Sequence, residues 1–269
     1  MRVSLPRMLV SRLTLVEHMA GLSSVRARRA QVLSTVHLQA ERVYPPKPTS
    51  KLVHDAHRRH NYDHEVDYED VVTQRYYSLT VAWERLLHHI AHDVDMDDDD
   101  FAFIFEDDIA LHEDLAPENA TEAILHGMEL ARADGLLYLG ACDFDCAPWR
   151  GADHWVGGVR FEKCASHCTH AMAITKGKAA TLMQELHVSV LTELYVHGDG
   201  VRKAAFIIDQ QLKMYSQHHN GTWTVGTNFF SPQDEWRMFA FGAFYQDKLT
   251  AHSTILTRRR SLRTLLAWA

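Results

Sequence analysis

The stretch FAFIFEDDIALHEDL, residues 101–115, decides how the chain is read. Its first five residues, Phe101 to Phe105, are apolar, rich in aromatics and only weakly alternating. That is the pattern of a short strand buried on both faces inside a parallel or mixed sheet. Three adjacent carboxylates follow at once: Glu106, Asp107 and Asp108. Such neighbours repel one another unless something positive sits between them, and the carboxyl ends of strands are where open α/β sheets place their ligands. Alternate residues of an extended segment point to one side, so Glu106 and Asp108 share a face while Asp107 turns away. Hard oxygen donors set this way suit Mg²⁺ or Mn²⁺ held against a diphosphate. The plain alternative is a strand end whose acids cap the next turn.

Upstream of this strand, apolar residues recur at helical spacing from Val71 to His92: Val72, Tyr76, Leu79, Trp83, Leu86, Leu87 and Ile90. Between helix and strand lies DVDMDDDD, residues 93–100, with six aspartates in eight positions. Such a run repels itself and stays hydrated, so a solvated turn is preferred over a cation site. Further back, 53–70 reads as loop, three prolines in VYPPKPTSK break regular structure, and 23–38 reads as a helix. Downstream, Pro117 and Glu118 start a helix with Ile124, Leu125, Met128 and Ala131 facing inward. GLLYLGACDFD, VGGVRF and HAMAIT read as strands, and KGKAATLMQELH and FIIDQQLKMYS as helices. Alternating strands and helices predict an α/β domain, and with no linker or repeat in view, residues 1–269 read as one domain.

Composition narrows the function. The 269 residues, 46% hydrophobic and 23% charged, are those of an ordinary globular protein. A net charge of −7 has the wrong sign for a phosphate-backbone footprint, so no nucleic-acid partner is expected. No apolar run approaches the roughly 20 residues of a membrane span. Arg12 and Glu17 interrupt the early apolar residues, so the start is not read as a signal peptide.

Four cysteines, Cys142, Cys146, Cys164 and Cys168, form two C-x3-C pairs in one part of the chain. Disulfides in an oxidising lumen are the first reading, and pairing across the two units is preferred because it closes the longer loop. A tetrahedral zinc site is the rival, although structural zinc sites favour C-x2-C knuckles. Buried reduced thiols, in a cytoplasmic protein, are the third.

The phrase AFIFEDDIAL, preceded by YSLTVAWERLLHHI, resembles glycosyltransferase family 25, which includes lipooligosaccharide and procollagen galactosyltransferases. Further similarities follow in the family's order: RARRAQVL to its early Arg-Arg helix, LLYLGACD to its Leu-Gly strand, CTHAMAITKGKAATLM to its donor-side segment and IIDQQL to its late P-I-D element. They run from about Arg26 to Asp209, most of the chain. The opening apolar strand of the family has only LTLVEHM as a poor counterpart, Ile207-Ile208-Asp209 lacks the family's proline, and the paired cysteines are foreign to the bacterial pattern.

The resemblance implies a GT-A type fold, a nucleotide-sugar-binding mixed sheet flanked by helices. It implies a hexosyltransferase using Mn²⁺ or Mg²⁺ and a UDP-sugar donor, acting on a glycan or glycoprotein hydroxyl in the endoplasmic reticulum or Golgi lumen. Glu106 and Asp108 match the metal ligands; Glu106 and Asp107 match the diphosphate side. Arg28 and Arg29 match the basic pair near the nucleotide, against a solvated helix face as the bland reading. Thr169 and His170 sit where the family places a strand beside the donor, though a lone histidine there is more often structural. Asp209 matches the late acid, a candidate base. Two other classes compete: a catalytically inactive, glycosyltransferase-like binding protein, and a metal-dependent phosphohydrolase using the same acids.

Overall fold

The computed structural model describes residues 13–16, 40–43, 46–47, 49–52, 54–55, 71–106, 109–149, 153–188, 208–229 and 241–246. The helix expected over 23–38 and most of the loop expected over 53–70 lie outside them. The strands are β1 (Leu13–Val16), β2 (Ala40–Val43), β3 (Phe101–Glu106), β4 (Ile109–Leu111), β5 (Leu136–Ala141) and β6 (Asp143–Asp145). They continue with β7 (His154–Val156), β8 (Val159–His167), β9 (Ala171–Thr175), β10 (Thr222–Val225), β11 (Phe241–Gly242) and β12 (Phe244–Gln246). The helices are α1 (Val71–Ala91), α2 (Pro117–Ala131), α3 (Lys176–Val188) and α4 (Ile208–His218).

The main sheet runs β2-β1-β3-β9-β5-β10-β8-β6, with β7 added to β8 and β11 to β5; β12 and β4 pair separately. β1 is parallel to both its neighbours and β10 is parallel to β5. The remaining pairings are antiparallel. The chain is therefore a mixed α/β structure with a mixed, mostly antiparallel sheet flanked by helices.

Strand alternation sorts the core into two layers. Phe101, Phe103 and Phe105 of β3 join Leu137 and Leu139 of β5 on one face, where α2 covers them with Ala120, Ala123, Ile124 and Ala131. Ala102 and Ile104, with Leu136 and Tyr138, face the other way onto α1, α3 and α4. On that side Trp83, Leu86, Leu182 and Leu212 close the layer. The apolar residues of β3 are all buried, as its sequence predicts.

Some expectations need correcting. Leu125 does not face inward; it is 38% exposed. The inward stripe of α2 instead passes through Gly127, where a Cβ would lie 2.9 Å from Val225 and 3.2 Å from Leu137, so the helix sits close to the sheet. VGGVRF is not one strand. Gly157 and Gly158, at φ +56° and +80°, form the tight turn between β7 and β8, a backbone that glycine adopts without strain. LTLV, judged a poor opening strand, is β1, in parallel register with β3 from Thr14↔Ile104 to Val16↔Glu106. The acidic run is the solvated turn expected: Asp95 N donates to Asp93, Asp97 N to Asp100, and buried Met96 anchors it.

Two disulfides, Cys142–Cys168 and Cys146–Cys164, join the cysteine units crosswise, as preferred over a four-thiolate zinc site. They fasten the segment after β5 to β8 and to the loop before β9, and they imply an oxidising, secreted or lumenal compartment. Among the described residues no helix is long and apolar enough to cross a membrane.

Candidate functional site

β3 delivers Glu106 to the sheet's edge. Its five buried residues fix the strand, and Glu106 itself is half-buried. Its backbone N–H donates to the His170 carbonyl at 2.8 Å, and its Oε1 accepts from the Thr169 hydroxyl at 2.8 Å. Thr169 is buried, so this hydrogen bond to a carboxylate is sheltered and orients the acid. Thr169 lies 63 residues from Glu106 in sequence; tertiary structure alone brings them together.

The loop that carries Thr169 is itself shaped by the outer disulfide. Cys168 has φ +71°, a left-handed conformation unusual for a residue with a Cβ. Its sulfur is bound to Cys142, whose N–H donates to the His167 carbonyl at 3.0 Å. His170, two residues on from Cys168, is fully buried, and its Nε2 lies 3.2 Å from the Phe244 carbonyl. A carbonyl only accepts, so Nε2 carries the proton and Nδ1 the lone pair.

His167, at the end of β8, meets the start of α4. Its Nε2 is 3.2 Å from Asp209 Oδ2 and 2.5 Å from the side-chain amide of Gln210. Asp209 stands in the first turn of α4, where a negative charge complements the helix dipole, and its Oδ1 accepts the Gln210 N–H at 2.8 Å. Beneath this pair lies Tyr138 of β5. It is fully buried, and among the described residues its hydroxyl has no hydrogen-bond partner. Burial, and secondly the charge of Asp209, push its pKa above the ordinary phenol value, so it stays a neutral hydroxyl.

The segment 167–170 thus gathers the described candidates. Glu106 and Thr169 touch, and Asp209 reaches the same segment through His167. Asp107, Asp108, Arg28 and Arg29 lie outside the described residues. Sequence reasoning missed His167, Gln210 and Tyr138. His167 and Gln210 are 43 residues apart, and no local pattern signals such a contact.

Two groups of metal-capable side chains occur among the described residues: Cys142 with Cys168 and His170, and His167 with Cys168 and Asp209. Both include Cys168, whose sulfur is committed to a disulfide and is no thiolate ligand. The hard-oxygen donor at the end of β3 is Glu106, and a half-buried carboxylate oriented by a neighbouring hydroxyl fits a divalent cation's needs. An apolar groove lined by Leu87, Leu182, Met183, Leu186 and Ile208 lies between α1, α3 and α4 and, among the described residues, holds no such cluster.

A scan against protein-family models gives no match, and a search of curated proteins gives none either.

Proposed function

We propose that the chain is a GT-A type hexosyltransferase that moves galactose or glucose from a UDP-sugar to a hydroxyl of a glycan or glycoprotein. The observation that carries this reading is the placement of Glu106: the acid ends a buried strand and is oriented by Thr169, on the segment that also holds the His167–Asp209 pair. The parallel strands β2-β1-β3 beside antiparallel β9, with the acids at the carboxyl end of β3, support the GT-A assignment.

Glu106, with Asp108 two residues on in sequence, would hold Mn²⁺ or Mg²⁺, and Asp107 would stand on the diphosphate side. When bound, the cation neutralises the diphosphate leaving group. The chain's own residues do the rest. Thr169 fixes the rotamer of Glu106 and so the position of its oxygens. Asp209 takes the acceptor's proton if the anomeric centre inverts, and His167 beside it shares the charge. Tyr138, kept neutral by burial and by the charge of Asp209, cannot compete for the proton. The two disulfides support maturation in the endoplasmic reticulum or Golgi lumen.

The test is release of nucleoside diphosphate from a panel of nucleotide sugars, with and without Mn²⁺. Metal-dependent release is expected with a UDP-hexose. No metal-dependent release from any common donor would overturn the proposal. Phosphate release from simple esters would point to a hydrolase, and nucleotide binding indifferent to Mn²⁺ to an inactive binding protein.

A further inference from the structure

The oxidising compartment that the two disulfides imply is also one where asparagine side chains are modified. The acceptor signal for an N-linked glycan is Asn-x-Ser/Thr, with x other than proline. The sequence holds it twice, as Asn119-Ala120-Thr121 and as Asn220-Gly221-Thr222. Such tripeptides arise readily by chance, so the fold has to say whether a glycan fits.

At both positions it does. Asn220 stands in the turn between α4 and β10 and is exposed. Its φ of +64° is left-handed, a conformation in which asparagine is enriched. A helix end alone would account for an asparagine there. The turn, however, is closed by backbone: Gly221 N–H donates to the Ser216 carbonyl at 2.8 Å, and the Asn220 carboxamide takes no part. Asn119 lies in the first turn of α2 and is exposed too, while its neighbour Ala120 is buried against the sheet. Among the described residues neither carboxamide hydrogen-bonds to another group, so a glycan displaces no contact there.

The third residue of the later signal sets a condition. A glycan transferase reads the hydroxyl at that position, yet Thr222 is only 3% exposed and its Oγ1 lies 2.7 Å from Ser216 Oγ. Thr222 also stands opposite Cys164 in the β10–β8 register, beside the Cys146–Cys164 bond. Once β10 closes on β8, the signal at 220 is hidden.

We propose that Asn119 and Asn220 carry N-linked glycans, and that the glycan at Asn220 is attached before β10 pairs with β8. The donor is an oligosaccharide on a polyprenyl diphosphate. The bond from its first sugar carbon to the diphosphate oxygen breaks, and that carbon bonds to the asparagine Nδ2. The amide gives up one proton, and the polyprenyl diphosphate leaves. Asn220 follows the far end of α4 from Asp209, about 15 Å along the helix, so its glycan stands clear of the candidate site. The inference rests on the disulfides and not on the transferase reading.

The experiment directs the full chain into the secretory pathway of cultured eukaryotic cells. The secreted, disulfide-bonded protein is then treated with peptide N-glycosidase in heavy-oxygen water and mapped by mass spectrometry. Labelled aspartate is expected at 119 and at 220. Asn119→Asp and Asn220→Asp should each remove one gel step, and aspartate tolerates the left-handed turn at 220 as asparagine does. An unlabelled peptide at either position would overturn the proposal for that position. For the order of events, bare chain is offered to detergent-opened microsomes with the lipid-linked donor, either refolded with both disulfides or reduced and unfolded. The unfolded chain should gain the Asn220 glycan at least tenfold more than the refolded one. Equal gain by both would overturn attachment before closure.

Discussion

Glu106 serves two partners at once, the Thr169 hydroxyl beside it and the substrate side it faces in the proposed reaction. These duties separate by substitution. Glu106→Gln keeps an oxygen to accept from Thr169 but removes the charge that holds a hard cation. Metal-dependent turnover should fall by about a hundredfold or more, since such a cation supplies several kcal/mol, while the melting temperature barely moves. Asp108→Asn should do the same, and Asp107→Asn less, on the expectation from sequence that alternate positions of an extended segment point to opposite sides. Donor turnover and thermal melts on the three variants decide it; equal loss at 107 and 108 would show that the alternation does not hold. Tyr138→Phe is a stability question instead. Its buried hydroxyl has no hydrogen-bond partner among the described residues, so removing it should stabilise by about 1 kcal/mol in urea unfolding. A destabilised variant would mean that the hydroxyl is bonded after all. At this scale the sequence showed the acids but not their company. Glu106 and Asp209 could be singled out as carboxylates in a pattern, whereas His167 became visible only when β8 and α4 were folded together.

Among the elements, those with many residues in one period were legible, and the short ones were not. α1 repeats apolar residues over enough turns to show period 3.6, and β3, β5 and β9 are continuous apolar runs of strand length, buried on both faces. β1 and β10 have four residues and β11 two, too few to show any period; their existence depends on the neighbours that pair with them. LTLV became a strand because β3 lies alongside it. Two glycines test how such local choices are enforced. In β5, a Cβ at Gly140 would stand 1.9 Å from the backbone carbonyl of Phe244, which cannot step aside like a flexible side chain. Gly140→Ala should therefore cost about 3 kcal/mol or block folding. Gly158 has nothing within 4 Å of such a Cβ, but its φ of +80° strains an alanine. Gly158→Ala should cost about 1 kcal/mol. Thermal unfolding of the pair checks the order; similar losses would mean that the β5–β12 contact yields more easily than its geometry implies.

The whole molecule is held at one corner by covalent bonds whose presence, though not whose setting, was legible from cysteine spacing. Each bond restricts the unfolded chain over 26 or 18 residues and should contribute roughly 2–4 kcal/mol. Denaturant midpoints of oxidised and fully reduced protein measure that contribution directly, and coincident midpoints would show that the corner is held by packing alone. The arrangement is concentric: Cys146–Cys164 lies within the loop closed by Cys142–Cys168. Closing a loop is cheaper the shorter it is, so a nascent chain oxidises first within each C-x3-C unit, Cys142 to Cys146 and Cys164 to Cys168. Both of those products are wrong, and each must be attacked by a thiolate and exchanged before the concentric pair appears. Refolding of the reduced chain in a glutathione buffer should accumulate these neighbour-bonded isomers, visible by acid trapping and peptide mapping, and a disulfide isomerase should shorten their lifetime. Direct appearance of the native pairs would refute that order. A host that oxidises thiols without reshuffling them would then fill with full-length, correctly translated, wrongly laced protein.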